Sequence, residues 1–419
     1  MGKEVFGMTE SKKFDPKGTL MGFKSLATRN AILAILLNIT NQYTNNMRTS
    51  FRAMVGNSIG LSGTAIGLAF SIFTIAAMLM RTPSGAVADN KRDKIKYILA
   101  GGFIAKAIVF AMFAFIKTPA MYYAVYIIDG AIYSFITTLV PVILACSVDR
   151  KAMGSAYALY MGLMQVAIST ARSFSVSIFN TKGQTTVAFI TAALSLTSVV
   201  VALCLDGSKL YVKRGPAKGD ASSPAGKRGI LSGLNMAMLP LAICCGLCIF
   251  PNTIDGNFTV LRAEAANFEY LGALTLGQTI YGVMSIVTGF LCDIVSPAIL
   301  IIISLAGMIA GFGLMGVATT SGSFCAGIMI YQICRYWNSP FKIIGMKAVS
   351  NSEQGSFQAT MLLVTDVVTI FASTIAGMVA DAMGYSGAYL LTVGVLVVNL
   401  VLFLLLKKSG KINEKSSVE

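Results

Sequence analysis

The sequence predicts an all-α integral membrane protein, with twelve transmembrane helices in two pseudo-symmetric six-helix bundles. Three observations carry that expectation. The 419 residues are 55% apolar and only 12% charged, with a mean hydropathy of +0.73, whereas a soluble domain carries about 25% charged residues. The apolar residues gather into runs of membrane length, and about 20 residues cross a ~30 Å hydrocarbon core as a helix. The pattern Gly-x-x-x-Asp closes a run in each half, at Gly85 and Asp89 and again at Gly289 and Asp293. Barrel strands would show ~10-residue alternating segments. Solidly apolar runs are helices, which satisfy their own backbone groups without water.

The first six runs span roughly 28–47, 60–88, 96–116, 119–145, 155–178 and 185–205, each long enough to cross. Run one carries Asn38, Asn41, Gln42 and Asn45 at helical spacing, with Thr40 and Thr44 beside them. Four amides on one face need protein or water, not lipid. In run two, Gly63 and Gly67 read as a close helix contact. It ends in the hairpin from Gly85 through Asp89, Arg92 and Lys94, which lies between two apolar runs and therefore at a water interface. Run three holds Lys106, a cation able to snorkel to either interface. Run four holds Tyr126, Asp129 and Tyr133, and run five holds Arg172.

The stretch from Asp206 to Arg228 is basic and rich in Gly, Ser and Pro, the composition of a linker. The expected organisation is an N-terminal tail (1–27), a first bundle (28–205), the linker (206–230), a second bundle (231–406) and a C-terminal tail (407–419). The second set of runs spans roughly 231–253, 266–291, 297–318, 322–346, 355–380 and 386–406. Run seven places Pro251-Asn252-Thr253 where run one has Thr40-Asn41-Gln42, with Asp255 just beyond. Its Cys244, Cys245 and Cys248 read as packing thiols, since the chain has no His and no second Cys pair at zinc spacing. Run eight ends at Gly289 and Asp293 without the basic partners of the first hairpin. Run ten reads Tyr331 to Phe341 through Arg335, Trp337 and Asn338, and run eleven carries Asp366. These echoes fall in one order, as expected for a duplicated six-helix unit with two parallel halves.

The formal charge is +15. In a soluble protein that would suggest nucleic acid, but the basic residues are unevenly placed. About 24 lie on the side of the termini, about 4 within runs, and about 5 opposite (Arg48, Arg52, Lys117, Lys182 and Arg262), so the positive-inside rule puts both termini in the cytoplasm. Anionic lipid head groups account for the excess. No cleavable signal segment stands at the N-terminus. The sequence asks for no metal and no cofactor. The expected partners are a small solute, protons as coupling ion and the lipid of the cytoplasmic membrane, with no nucleic acid and a monomeric chain.

An ionisable group inside a span costs at least ~2.5–3.5 kcal/mol on insertion scales, so each needs a reason. Arg335 and Asp366 fall near mid-membrane on consecutive runs, and consecutive helices are usually neighbours. They are expected to pair, either as a static link or as a trigger in which Asp366 titrates and Arg335 meets an anionic solute. Asp129 and Arg172 offer a similar pair, with Asp129 alternatively a proton carrier. Trp337, the one Trp of the chain, is read as stacking on a solute or as packing.

The hairpin resembles the loop motif between the second and third helices of the major facilitator superfamily. Asp149-Arg150-Lys151-Ala-Met-Gly154 and Gly377-Met-Val-Ala-Asp381-Ala-Met-Gly384 resemble that family's fourth loop and the end of its helix eleven. The run from Phe73 to Gly85 is similar to that of bacterial drug-exporter-like members. The resemblance implies that helices one, four, seven and ten line a central cavity. Its candidates here are Asn41, Gln42, Tyr126, Asp129, Tyr133, Asn252, Asp255, Arg335, Trp337 and Asn338. It also implies an inner gate at Gly85, Asp89, Arg92 and Lys94, with Gly289 and Asp293 as its weaker echo, and makes Arg81 part of that gating zone. Two positions depart from drug exporters: Tyr126 and Asp129 stand where helix four usually has an Arg, and no Gly-Pro motif occupies helix five. The expected function is alternating-access secondary transport of a small anionic or amphipathic solute, proton-coupled export first, with organic-anion uptake or exchange as the alternative. A transporter-like sensor is more remote. No nucleophile–base pair or metal set points to an enzyme.

Overall fold

The computed structural model describes residues 28–90, 94–147, 162–206, 236–348 and 354–409. Within them every regular element is a helix. The N-terminal tail, the C-terminal tail from residue 410, nearly all of the linker, Arg92 and the loop from Asp149 to Gly154 lie outside the described residues, as do the surroundings of Gly85 and Gly289 and the side chains of Asp89 and Asp293. The expected inner gate therefore falls outside what is described, except for Lys94, which is exposed before the third helix.

Eight stretches are long and apolar enough to cross a membrane. Two of them, Gly162–Leu203 with 42 residues and Thr360–Lys408 with 49, hold two crossings each. Each is broken at a glycine with positive φ, Gly183 at 81° and Gly384 at 73°. Glycine adopts that conformation without a Cβ clash, so helix turns into helix with almost no loop. The count reaches twelve with two helices that the apolar criterion misses.

One is α1 (Arg29–Ser58), capped by the Thr28 hydroxyl, which accepts from the Ala31 N–H. It runs about three turns past the predicted end at residue 47. Those turns bury polar groups in protein, so the apolar signal stops while the helix continues. Arg48 and Arg52, expected in a loop at the far face, are buried inside α1. The other is α10, made of Ser321–Cys334 and Asn338–Ala348 with Arg335, Tyr336 and Trp337 between them. Pro340 explains the break: it has no N–H for the Tyr336 carbonyl four residues earlier, and its ring would strike that carbonyl in a continuous helix.

The remaining helices are α2 (Gly63–Asn90), α3 (Ile95–Met112), α4 (Pro119–Ser147), and α5 and α6 on either side of Gly183 within Ala171–Leu203. Then come α7 (Leu239–Leu247 and Ile249–Ala265), α8 (Leu271–Ile294), α9 (Pro297–Val317), and α11 and α12 on either side of Gly384 within Gln354–Lys408. The start of α1 is tied to the end of α6: Asn30 Nδ2 donates to the Asp206 carbonyl at 3.0 Å, and the Asp206 N–H returns a bond to Asn30 Oδ1. That end of the molecule is the near face. The far face carries the short connections at 59–62, 116–118, 266–270 and 318–320 and the two glycine breaks.

Helices α1–α6 pack among themselves, as do α7–α12, and the two groups meet along α2/α11, α1/α7 and α5/α8. Small residues let the α2/α11 backbones touch. A Cβ on Gly67 would collide with the Ser373 carbonyl, and one on Gly377 with the Gly63 carbonyl. At the far end of this seam the Asp381 carboxylate accepts from the Gly63 N–H at 2.6 Å and the Thr64 N–H at 2.8 Å. It caps α2, a helix that begins with unsatisfied donors and a partial positive charge. On the α5/α8 side, Asn180 Nδ2 donates to Glu264 at 3.0 Å, and the Ser173 hydroxyl donates to the Leu271 carbonyl.

Candidate functional site

The buried ionisable groups fall into three clusters, and none pairs as the order of the runs predicted. Asp366 is bound by Arg81 of α2, with both guanidinium nitrogens on both carboxylate oxygens and Nη2–Oδ1 at 3.0 Å. It does not meet Arg335. The reason is the α2/α11 seam: Asp366, Ile370, Ser373 and Gly377 share one face of α11, and that face packs on α2 rather than on α10. The Arg81 side chain is 37% exposed and that of Asp366 11%.

The second cluster joins the halves at the middle of α7. Arg172 of α5 donates from Nη1 to Asp255 Oδ2 at 2.7 Å, from Nη2 to the Asp255 carbonyl at 2.9 Å, and from Nε to the Ser50 hydroxyl at 3.3 Å. Thr259, one turn on, donates to Asp255 Oδ1. Arg335 stands at the α10 break. Its Nη1 is 3.9 Å from Asp255 Oδ2 and donates to Gln332 Oε1 at 3.0 Å. The guanidinium lies 4.4 Å from the Tyr281 ring centroid and 5.6 Å from that of Tyr331. Tyr331 in turn donates to Asn252 Oδ1 at 2.6 Å. Arg335 Nε and Gln332 Nε2 are buried donors without a protein partner.

The third cluster lies inside the first half. Arg48 Nη1 meets Asp129 Oδ1 at 2.6 Å, so Asp129 pairs with α1 and not with Arg172. Lys106, expected to be able to snorkel to an interface, is instead 2% exposed and points into α1. Its Nζ donates to the Asn41 carbonyl, to Asn41 Oδ1 at 2.6 Å and to Thr44 Oγ1 at 2.9 Å. Three acceptors match the three donors of an ammonium. Arg52 lies one turn beyond Arg48 on the same stripe of α1, 3.5 Å from the Phe70 ring centroid.

Among the cavity candidates, Asp255, Arg335 and Asn252 come together, joined by Tyr331. Gln42 and Tyr133 are half-buried, while Asn41 and Tyr126 are buried and committed to Lys106 and Tyr122 respectively. Trp337 is buried within the α10 break with its Nε1 unpartnered, so it does not sit in mid-helix; Asn338 is exposed. Arg48, Arg52, Gln332, Tyr281, Tyr331 and Thr259 were not among the residues expected at a site. Arg48 and Arg52 had a signal: they continue the stripe of Asn41 and Asn45 at helical steps.

Two six-helix groups joined face to face, with arginine–carboxylate pairs crossing the join, are the plan of a secondary transporter working by alternating access. The chain belongs to the Major Facilitator Superfamily, whose profile matches residues 22–356. Among solved structures it is similar to the nucleoside transporter NupG, at 18% identity and a TM-score of 0.66, over 90% of this chain and 98% of that one. It is also similar to a bacterial homologue of the human lysosomal transporter Spinster, in an inward-facing, unoccupied conformation, at 14% identity and a TM-score of 0.70, over 93% and 97%. A third is the human organic anion transporter MFSD10 (TETRAN), at 13% identity and a TM-score of 0.55, over 92% and 99%. No curated protein sequence matches significantly.

Proposed function

We propose that this transporter carries a small organic anion, or an amphipathic solute with an acidic group, and that protons drive it through the Arg81–Asp366 pair. The observation that carries the reading is the partial commitment of Arg335. Asp255 is held closely by Arg172, with two further bonds around it, whereas Arg335 stands 3.9 Å away with its Nε free. A solute carboxylate or phosphate reaching Arg335 meets a guanidinium able to form charge-assisted bonds, with the Tyr281 ring beside it. Because Asp255 also ties α7 to α5 of the other half, a solute at Arg335 is felt at the join.

The pair at Asp366 suits coupling because it crosses the seam that opens and closes, and it is partly exposed. Protonation of Asp366 would release Arg81 and loosen α2 from α11. Asp129, the other acid considered as carrier, is enclosed within the first half and keeps its partner whichever way the seam swings. The far-face contacts of Asp381, Glu264 and Ser173 describe a state closed on that side. Export by proton exchange is the proposed direction; net anion uptake or exchange is the competing outcome.

The test is a thermal-shift screen of purified protein against organic anions, zwitterions and cationic drugs, followed by flux in proteoliposomes. Acidic solutes should stabilise the protein, and the shift should vanish in Arg335→Ala; cationic drugs as the sole hits would overturn the reading. Asp366→Asn should keep solute exchange and lose flux driven by a proton gradient. Gradient-driven flux at the wild-type rate would remove protons from that pair.

A further inference from the structure

The cluster inside the first half takes no part in the proposed transport chemistry, and its charges do not balance. Arg48, Arg52 and Lys106 are buried at 3%, 5% and 2% exposure around one carboxylate, Asp129. No other acid among the described residues pairs with them. Lys106 is satisfied by neutral oxygens and Arg48 by Asp129, but Arg52 has neither. Its Nε and Nη1 are buried without a hydrogen-bond partner, and so is Arg48 Nε. Around Arg52 stand the rings of Phe70, Phe73 and Tyr126. Ring faces attract a cation but accept few of its N–H groups, so they offset only part of the cost of taking a guanidinium from water.

We infer that a small monovalent inorganic anion of halide size occupies this place, held by Arg52 and the Nε of Arg48. Three features favour such an occupant over a larger one. Arg48 and Arg52 stand one helical turn apart on α1, and both guanidiniums lie against the Phe73 ring, 4.7 and 5.0 Å from its centroid, so both present free N–H donors to the same neighbourhood. The Phe70 ring packs directly on the Arg52 guanidinium. Tyr122 closes the far-face side, donating to the Arg52 carbonyl at 2.9 Å and leaving no room for a Cβ at Gly56. The anion would bind within one half, away from the seam, and so would stay in place through the transport cycle. Its role is to complete the fold of the first half rather than to travel. It is independent of the solute at Arg335.

The experiment is thermal unfolding of the detergent-purified protein at constant ionic strength, with gluconate replaced stepwise by chloride or bromide. Halide should raise Tm along a saturating curve. Arg52→Gln should remove that dependence or weaken the apparent halide affinity at least tenfold, while Arg52→Lys retains part of it and Arg335→Ala leaves it unchanged. Should Arg52→Gln fail to fold, anomalous scattering from bromide-soaked crystals of the wild-type protein decides, with a peak expected beside Arg52. A Tm indifferent to halide, a halide effect lost in Arg335→Ala, or bromide found only at Arg335 would each overturn the inference. So would water alone beside Arg52.

Discussion

The three ion pairs differ in burial, and that sets what each substitution should cost. Arg48–Asp129 is enclosed on both sides, and removing one member of such a pair leaves a stranded charge at about 3–5 kcal/mol. Asp129→Leu should therefore lower the unfolding temperature strongly. Arg48→Met in the same chain should restore most of the loss, because replacing both charges with apolar groups is close to neutral. Differential scanning fluorimetry of the two single variants and the double variant checks this; additive losses would contradict it. Arg81–Asp366 is partly exposed, and pairs of that kind contribute about 0–1 kcal/mol. Arg81→Gln should leave thermal stability nearly unchanged while altering gradient-driven flux, so parallel loss of both would be the wrong outcome. Arg81, Asp129, Arg172, Arg335 and Asp366 were legible from the cost of placing them in apolar runs, whereas Arg48 and Asp255 fell just past the runs. Their partners were not. Sequence neighbours suggested Arg335 with Asp366, whereas the faces of α10 and α11 carrying them turn different ways, and facing is a property of packing.

Among the elements, the apolar helices could be read almost to their ends, and the two whose course departs most from the runs, α1 and α10, are the ones that bury arginines along their length or at a break. The last turns of α1 look like a polar loop because Arg48 and Arg52 bury their charges against protein instead of lipid. The α10 break could have been read from Pro340, whose missing N–H falls one turn after Tyr336. The seam of α2 and α11 makes a sharper prediction. Asp381 satisfies two N–H groups at the start of α2, and losing a side-chain cap costs about 0.5–2 kcal/mol. In Asp381→Ala, amide hydrogen exchange over residues 63–67 should speed up by about 2–30-fold, the equivalent of that energy. Exchange at the start of α4, which belongs to the same half and has no such cap from the other, should stay as it was. Uniform acceleration across both helices would mean global loosening instead.

At the scale of the whole molecule, Arg48 and Arg52 are withdrawn into α1, so neither counts among the far-face charges on which the proposed cytoplasmic orientation of the termini rests. A tag fused to the C-terminus should be reached by membrane-impermeant reagents only after the membrane is opened; labelling of intact cells would reverse the orientation. The polarity of the join is itself asymmetric. Asp255, Glu264, Asp366 and Asp381 all belong to α7 and α11, and the groups that reach them across the join, Arg172, Asn180, Arg81 and the first N–H groups of α2, belong to the first half. Like-charged juxtaposition is a strong penalty against wrong partners. Two copies of the first half would set arginine against arginine, and two copies of the second would set carboxylate against carboxylate. A gene divided within the linker should therefore yield two fragments that recognise each other and ignore themselves.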